Sequence, residues 1–277
     1  MRYWVSGSGG LVDADDAHVS ILDHGFTVAD GVFETLKIVD GQAFALGRHL
    51  NRLQRSAAAM GLPEPDVDRV RHAAEETVAA NPPLIGELGR LRITYTAGVA
   101  PLGSDRGEAG PTLVVAASAM TPWPESAAVV TVPWPRNERS PLAGVKSTSY
   151  AENVLALARA HEHGAGEALM PDTQGRLCEG TGSNVFAVID GALLTPTLAT
   201  GCLPGITREL VLEWSDAREV DIPVESLSSA TEVFITSSTR DVQPVHRVDG
   251  LAYAAPGPIT ARVQAEFTRR SAEDLDP

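Results

Sequence analysis

Four prolines fall between residues 122 and 135, at Pro122, Pro124, Pro133 and Pro135. Proline lacks the amide hydrogen that a helix interior or a central strand needs. No long regular element can therefore run through Met120–Pro141, and the stretch divides the chain. The crossover is expected at 119–127, between a domain at 1–118 and a second at 128–277. At 277 residues the chain is long enough to bury two such cores.

The first part mixes periods. Val32–Val39 (VFETLKIV) is expected as a strand, Asp40-Gly41 as its turn and Gln42–Leu46 as the returning strand. Leu50, Leu53, Ala57 and Met60 then recur at helical spacing from Arg48 to Met60, and Gly61 with Pro63 supplies the stop. A second helix is expected over Asp66–Ala80, ended by Asn81-Pro82-Pro83. Strands at Arg90–Thr96 and Thr112–Ala119 complete an α+β unit. Beyond the prolines, strands are expected at Val129–Pro133, Glu167–Met170, Val185–Ile189 and Glu232–Thr236. Helices are expected at Tyr150–His163, from Pro204-Gly205 to Trp214, and at 258–270.

Charge and cysteine content narrow the function classes. Arg plus Lys number 22 against 36 acidic residues, a net charge of −14 that disfavours nucleic acid or an anionic membrane as partner. No segment has the length of a membrane span, and the start of the chain lacks a signal-peptide pattern. Cys178 and Cys202 are too few for a disulfide framework or a structural zinc site, so a reducing cytoplasm is the expected compartment and no metal is expected.

Only Lys37 and Lys146 are lysines, which leaves two candidates for chemistry that needs an amine. Lys37 sits in an alternating strand, where a charged residue on one face is the plain expectation. Lys146 lies in a loop, Gly144-Val145-Lys146-Ser147-Thr148-Ser149-Tyr150. Loop lysines are usually solvated, yet small hydroxyl side chains and a tyrosine suit a Schiff-base amine. Glu179 is either a solvated acid or a buried carboxylate that keeps a heterocyclic nitrogen protonated. Gly180-Thr181-Gly182-Ser183-Asn184 has no helix after it, so a tight turn is favoured over a phosphate cradle. Leu203-Pro204-Gly205-Ile206-Thr207 is either a Pro-Gly turn or an anion site built from free amides at a helix start. Ser237-Ser238-Thr239 could add hydroxyls, and Arg52 a cation, to such an anion.

In this order, these segments resemble the fold-type IV pyridoxal-phosphate enzymes, the class IV aminotransferase family. The likeness runs from Asp23-His24-Gly25 and Gly31-Val32-Phe33-Glu34-Thr35 to Val242-Gln243-Pro244-Val245. It implies a small α+β amino-terminal domain, a larger β-rich pseudo-barrel, pyridoxal 5′-phosphate held between them, a homodimer with its active site near the interface, and a small-molecule amine substrate. By position it implies Lys146 as the Schiff-base lysine and proton carrier, Glu179 at the pyridine nitrogen, and Tyr150 near the phenolic oxygen. Arg52, Ile206, Thr207 and Ser238 match phosphate ligands, and Phe33, Arg92, Arg106 and Thr239 match substrate-facing positions. Phe33-Glu34-Thr35-Leu36-Lys37 differs from the FEGIR of branched-chain enzymes and, with the short chain, looks more like bacterial aminodeoxychorismate lyases. The expected activity is conversion of 4-amino-4-deoxychorismate to 4-aminobenzoate and pyruvate. The alternative is transamination of branched-chain or D-amino acids with 2-oxoglutarate.

Overall fold

A computed structural model describes all residues except 83–85 and 87. It divides into two compact units: Met1–Pro122 with Val145–Ser149 and Asp274–Pro277, and Trp123–Gly144 with Tyr150–Glu273. Val145–Ser149, expected within the domain at 128–277, thus packs with the first unit.

The first unit carries strands β1 (Arg2–Val5), β2 (Gly10–Asp13), β3 (Gly31–Val39), β4 (Gln42–Ala43), β5 (Leu88–Thr96) and β6 (Thr112–Ala119). They form an antiparallel sheet in the order β2-β1-β6-β5-β3-β4. Helix α1 is one turn, His24–Thr27, and helices α2 (Leu46–Ala59) and α3 (Val67–Ala79) are longer. Leu46, Leu50, Leu53 and Ala57 stand on one stripe of α2 and share a core with Val32, Leu36 and Ile38 of β3. Asp66 caps α3 by accepting the Arg69 N–H at 3.0 Å. Pro83, part of the expected stop for that helix, lies outside the described residues.

Two expectations about β3 are corrected. The returning strand ends at Ala43 and does not reach Leu46, because Ala45 turns left-handed (φ 54°) and α2 begins. Lys37 is only 9 % exposed, with Nζ 5.3 Å from the Phe44 ring centre. Strand β3 is covered on both faces, so its charge lies against an aromatic ring rather than on a wet face.

The second unit is built on one nine-stranded sheet. Its strands are β7 (Ala127–Thr131), β8 (Glu167–Pro171), β9 (Leu177–Gly180), β10 (Asn184–Ile189), β11 (Ala192–Thr195), β12 (Arg218–Glu219), β13 (Glu232–Ser237), β14 (Asp241–Val248) and β15 (Leu251–Ala252). The order is β12-β11-β10-β13-β14-β7-β8-β9, with β15 against β14. In that order β9 lies five places from β10, which would be about 24 Å in a flat sheet. Residues 181–183 alone join them, and so short a link reaches at most about 14 Å. The sheet must curl, as a pseudo-barrel does, and Val129, Leu169, Leu177, Val185, Val233, Ile235 and Val245 share its core. Helices α4 (Ala151–Glu162), α5 (Ile206–Trp214) and α6 (Pro258–Glu273) belong to this unit. Among the described residues no helix is long and apolar enough to cross a membrane, and no cluster of side chains could hold a metal.

Candidate functional site

In the first unit, Val145–Ser149 adds itself to the edge of β3. Phe33 N–H donates to the Lys146 carbonyl at 3.0 Å, Thr148 N–H donates to the Gly31 carbonyl at 2.8 Å, and Val32 faces Ser147. Gly31 permits this approach: a Cβ there would lie 3.0 Å from the Tyr95 carbonyl oxygen and 3.2 Å from Thr148 Oγ1. Lys146 is therefore fixed through its backbone by a strand pairing, and it also donates its N–H toward Ser56 Oγ at 3.4 Å. Its Nζ lies 4.5 Å from the centre of the Phe33 ring. The Arg92 guanidinium carbon lies 3.5 Å from the same ring centre, and Arg92 Nε donates to Thr94 Oγ1 at 3.2 Å. Lys146, Phe33 and Arg92 thus form one group in which an aromatic face meets two cations.

Beneath β3, Arg52 is buried and spends two guanidinium donors on Glu34: Nε on Oε1 at 2.8 Å and Nη2 on Oε2 at 2.6 Å. His49 Nδ1 donates to Glu34 Oε2 at 2.6 Å, because the ionised carboxylate can only accept. Burial pushes the Glu34 carboxyl up, but the charge and hydrogen bonds of Arg52, joined by those of His49, outweigh it and bring the carboxyl down to about 2. Burial pushes His49 down against the pull of Glu34, and the charges of Arg52 and Lys146 push the same way as burial. The outcome is a fixed charge pair with a neutral imidazole against it. Neither Glu34 nor His49 carries a recognisable local signal. An acid inside an apolar strand, with His and Arg at i and i+3 on the next helix, is the pattern that could have revealed them.

Arg106 is engaged within its own unit. It binds Asp30 through Nε at 2.6 Å and Nη2 at 2.7 Å, and donates to the carbonyls of Gly61 and Met60 at 2.6 and 2.8 Å. Four of its five N–H groups tie loops of its own unit together.

The second unit holds the other expected residues. Glu179, on β9, is 8 % exposed. Its Oε2 accepts the Leu203 N–H at 2.9 Å, and its Oε1 lies 3.3 Å from Nη2 of Arg136. Ile206 and Thr207 open α5 and are buried. Gly205 is the helix N-cap, and no side chain caps that end, so the first amides of the helix have no acceptor within it. A Cβ on Gly205 would come 2.0 Å from Asn184 Oδ1. Tyr150 immediately precedes α4, and Ser238 and Thr239 form the partly exposed turn between β13 and β14.

Gly180–Asn184 is a tight turn, with Gly180 N–H donating to the Ser183 carbonyl at 2.7 Å. Buried Glu167 organises it, accepting the Thr181 N–H at 2.9 Å, Ser183 Oγ–H at 3.0 Å and the Thr181 hydroxyl. Glu167 and Arg136 are supporting residues that no local motif announces.

A family model described as Amino-transferase class IV matches residues 31–248. A protein of Methanocaldococcus jannaschii, provisionally assigned as a branched-chain-amino-acid aminotransferase, is 33% identical over 281 residues, covering 96% of this chain and 95% of that one. The D-alanine aminotransferase of Staphylococcus haemolyticus is 31% identical over 289 residues, covering 95% of each chain. Among solved structures, a hypothetical aminotransferase from Mycobacterium tuberculosis in its PLP-bound form superposes with a TM-score of 0.85 at 27% identity, covering 97% of this chain and 98% of that one. A Legionella pneumophila protein provisionally assigned as 4-amino-4-deoxychorismate lyase shares the fold, with a TM-score of 0.85, at 23% identity, covering 93% and 97%.

Proposed function

Because the chain belongs to the class IV amino-transferase family, whose enzymes use pyridoxal 5′-phosphate, we propose that it is a transaminase acting between branched-chain or D-amino acids and 2-oxoglutarate. The observation that carries this reading over the lyase is that full-length relatives above 30% identity bear aminotransferase names, whereas the lyase likeness is one of fold.

The residues fit the cofactor. The uncapped start of α5, with glycine at its N-cap, leaves amides for a phosphate. Buried Glu179 offers a carboxylate suited to a protonated ring nitrogen. Arg52, the amides of Ile206 and Thr207, the Thr207 hydroxyl and Ser238 would bind the phosphate, and Tyr150 would donate to the phenolic oxygen. When bound, the cofactor supplies an electron sink for the pair released at the substrate α-carbon. Lys146 Nζ anchors the aldehyde and carries the proton to and from that carbon. Glu34 and His49 hold Arg52 in place, so the phosphate meets a cation already oriented by its own unit. Arg92 binds a substrate carboxylate, its plane set by Phe33, and Phe33 with Thr239 faces the substrate side chain.

A homodimer belongs to the same reading. Ile21 and Phe26 are 77 % exposed and Leu102 is 78 % exposed, apolar surface in the first unit that a second copy would cover. Two buried free thiols suit a reducing cytoplasm, where we place the enzyme.

The test is a substrate panel. Purified holoenzyme should transfer the amino group of L-leucine, L-valine or L-isoleucine, or of D-alanine or D-glutamate, to an oxo acid. Release of 4-aminobenzoate from aminodeoxychorismate, with no transfer from any amino acid, would replace this reading with the lyase.

A further inference from the structure

The residue that faces Glu179 is Arg136. Its backbone is pinned outside the carboxylate's own strand, since its N–H donates to the Pro171 carbonyl at 2.7 Å and it pairs alongside Asp172. Its side chain then reaches two partners. Nη2 stands 3.3 Å from Glu179 Oε1, and Nη1 donates to Asn153 Oδ1 at 3.3 Å. Asn153 is buried on α4 and donates in turn to the Thr181 carbonyl at 2.6 Å, two residues beyond Glu179. Glu152, whose carboxylate lies 3.7 Å from Nη1, is mostly exposed and adds a screened contact.

A carboxylate has about four lone-pair positions on its two oxygens. The Leu203 amide occupies one on Oε2, and Arg136 faces Oε1. The carboxylate plane is thereby set from both sides, by a backbone amide and by a planar guanidinium that cannot lose its charge. Arg136 also places one positive charge beside the one negative charge that Glu179 brings to the site.

We propose that Arg136 is a positioning residue for the cofactor's ring nitrogen: it orients Glu179 and offsets part of its charge, and so governs how that carboxylate holds the ring N–H. This rests on the reading that Glu179 faces the ring nitrogen. Charge and geometry separate in two substitutions. Arg136→Met removes both the cation and the fork, whereas Arg136→Lys keeps the cation and loses the fork.

The experiment measures, on the full-length protein, the dissociation constant for pyridoxal phosphate and the pH titration of the bound cofactor's visible band without substrate. Arg136→Met should weaken cofactor binding about tenfold, the worth of one hydrogen bond to a charged group. It should also move the band's titration to higher pH, because removing a positive charge favours every protonated form nearby. Arg136→Lys should leave the titration near wild type while retaining part of the affinity loss. In a Glu179→Gln background, Arg136→Met should weaken cofactor binding no further. Wild-type values for Arg136→Met, or an undiminished loss of affinity in the Glu179→Gln background, would overturn the proposal. Unchanged affinity and titration in Glu179→Gln alone would instead remove Glu179 from the ring nitrogen, and Arg136 with it. Should Arg136→Met fail to fold by circular dichroism, Arg136→Lys against Arg136→Gln gives the same comparison.

Discussion

The two lysines end in different surroundings. Lys37 lies under cover against Phe44, and Lys146 is presented from a strand-like segment beside Phe33 and Arg92. Borohydride reduction of the holoenzyme followed by peptide mapping should place the pyridoxyl group on Lys146. Lys146→Ala should lose both the adduct and the visible band, and an adduct on Lys37 would reverse the assignment. Glu34 sets a second expectation. Its carboxyl is held at about 2 in the folded protein against 4.5 for the free group, so its contribution to stability is complete above pH 4.5 and is lost as the pH falls toward 2. That difference corresponds to about 3 kcal/mol. His49 acts in the same direction, since a group held neutral when folded is protonated more readily when unfolded below its ordinary value of 6.5. Denaturant titrations between pH 7 and pH 3 should show wild-type stability falling with acid. Glu34→Gln should start lower, by roughly 3–5 kcal/mol for a broken buried pair, with a shallower acid limb. Equal slopes would show that the acid loss lies elsewhere.

At the scale of elements, what was legible in the sequence was what neighbouring residues encode. The Asp40-Gly41 turn, the apolar stripe of α2, the glycine at the start of α5 and the lysine segment all rest on contiguous signals. Arg52 was recognisable as a cation on a helix, but Glu34 joins it only when that helix lies on β3. Arg136 and Glu179 are distant in sequence, and only the pairing of residue 136 with the end of β8 brings them together. The returning strand was overextended because its apolar residues, Phe44 and Leu46, suit either period, and the backbone at Ala45 decided between them. One cap could not have been read locally at all. Asp276 Oδ1 accepts the Gly47 N–H at 2.6 Å, and the Ala45 N–H donates to the Leu275 carbonyl at 2.7 Å. Asp276→Ala should cost about 1 kcal/mol, the usual worth of an N-cap, read as a lower thermal midpoint, and Asp276→Asn should recover most of it. A midpoint unchanged in Asp276→Ala would show that α2 does not depend on this contact.

For the whole molecule, the chain divides into two compact units, and the curl of the second sheet, which the family resemblance implied as a pseudo-barrel, has no local signal of its own. Strand order is a property of pairings far apart in sequence, and short apolar strands of similar composition do not encode their neighbours. The charge of −14 belongs to the chain as a whole and coexists with buried Arg52 and the open amides of α5. Replacing Phe26 and Leu102 together by serine should convert a sedimenting dimer into monomer at micromolar concentration, and a wild-type protein that sediments as monomer would remove the dimer from the proposal.

The contact between Asp276 and Gly47 also imposes an order in time. Domains generally fold from the amino terminus as the ribosome releases them. The helix that carries His49 and Arg52 emerges early, yet its cap arrives 229 residues later. While the chain is still being made, α2 can form its inner face against β3 but not its finished start. The start of α2 is therefore finished only when residue 276 is in place, whereas Arg52, further along the helix, is already held by Glu34 of the same unit.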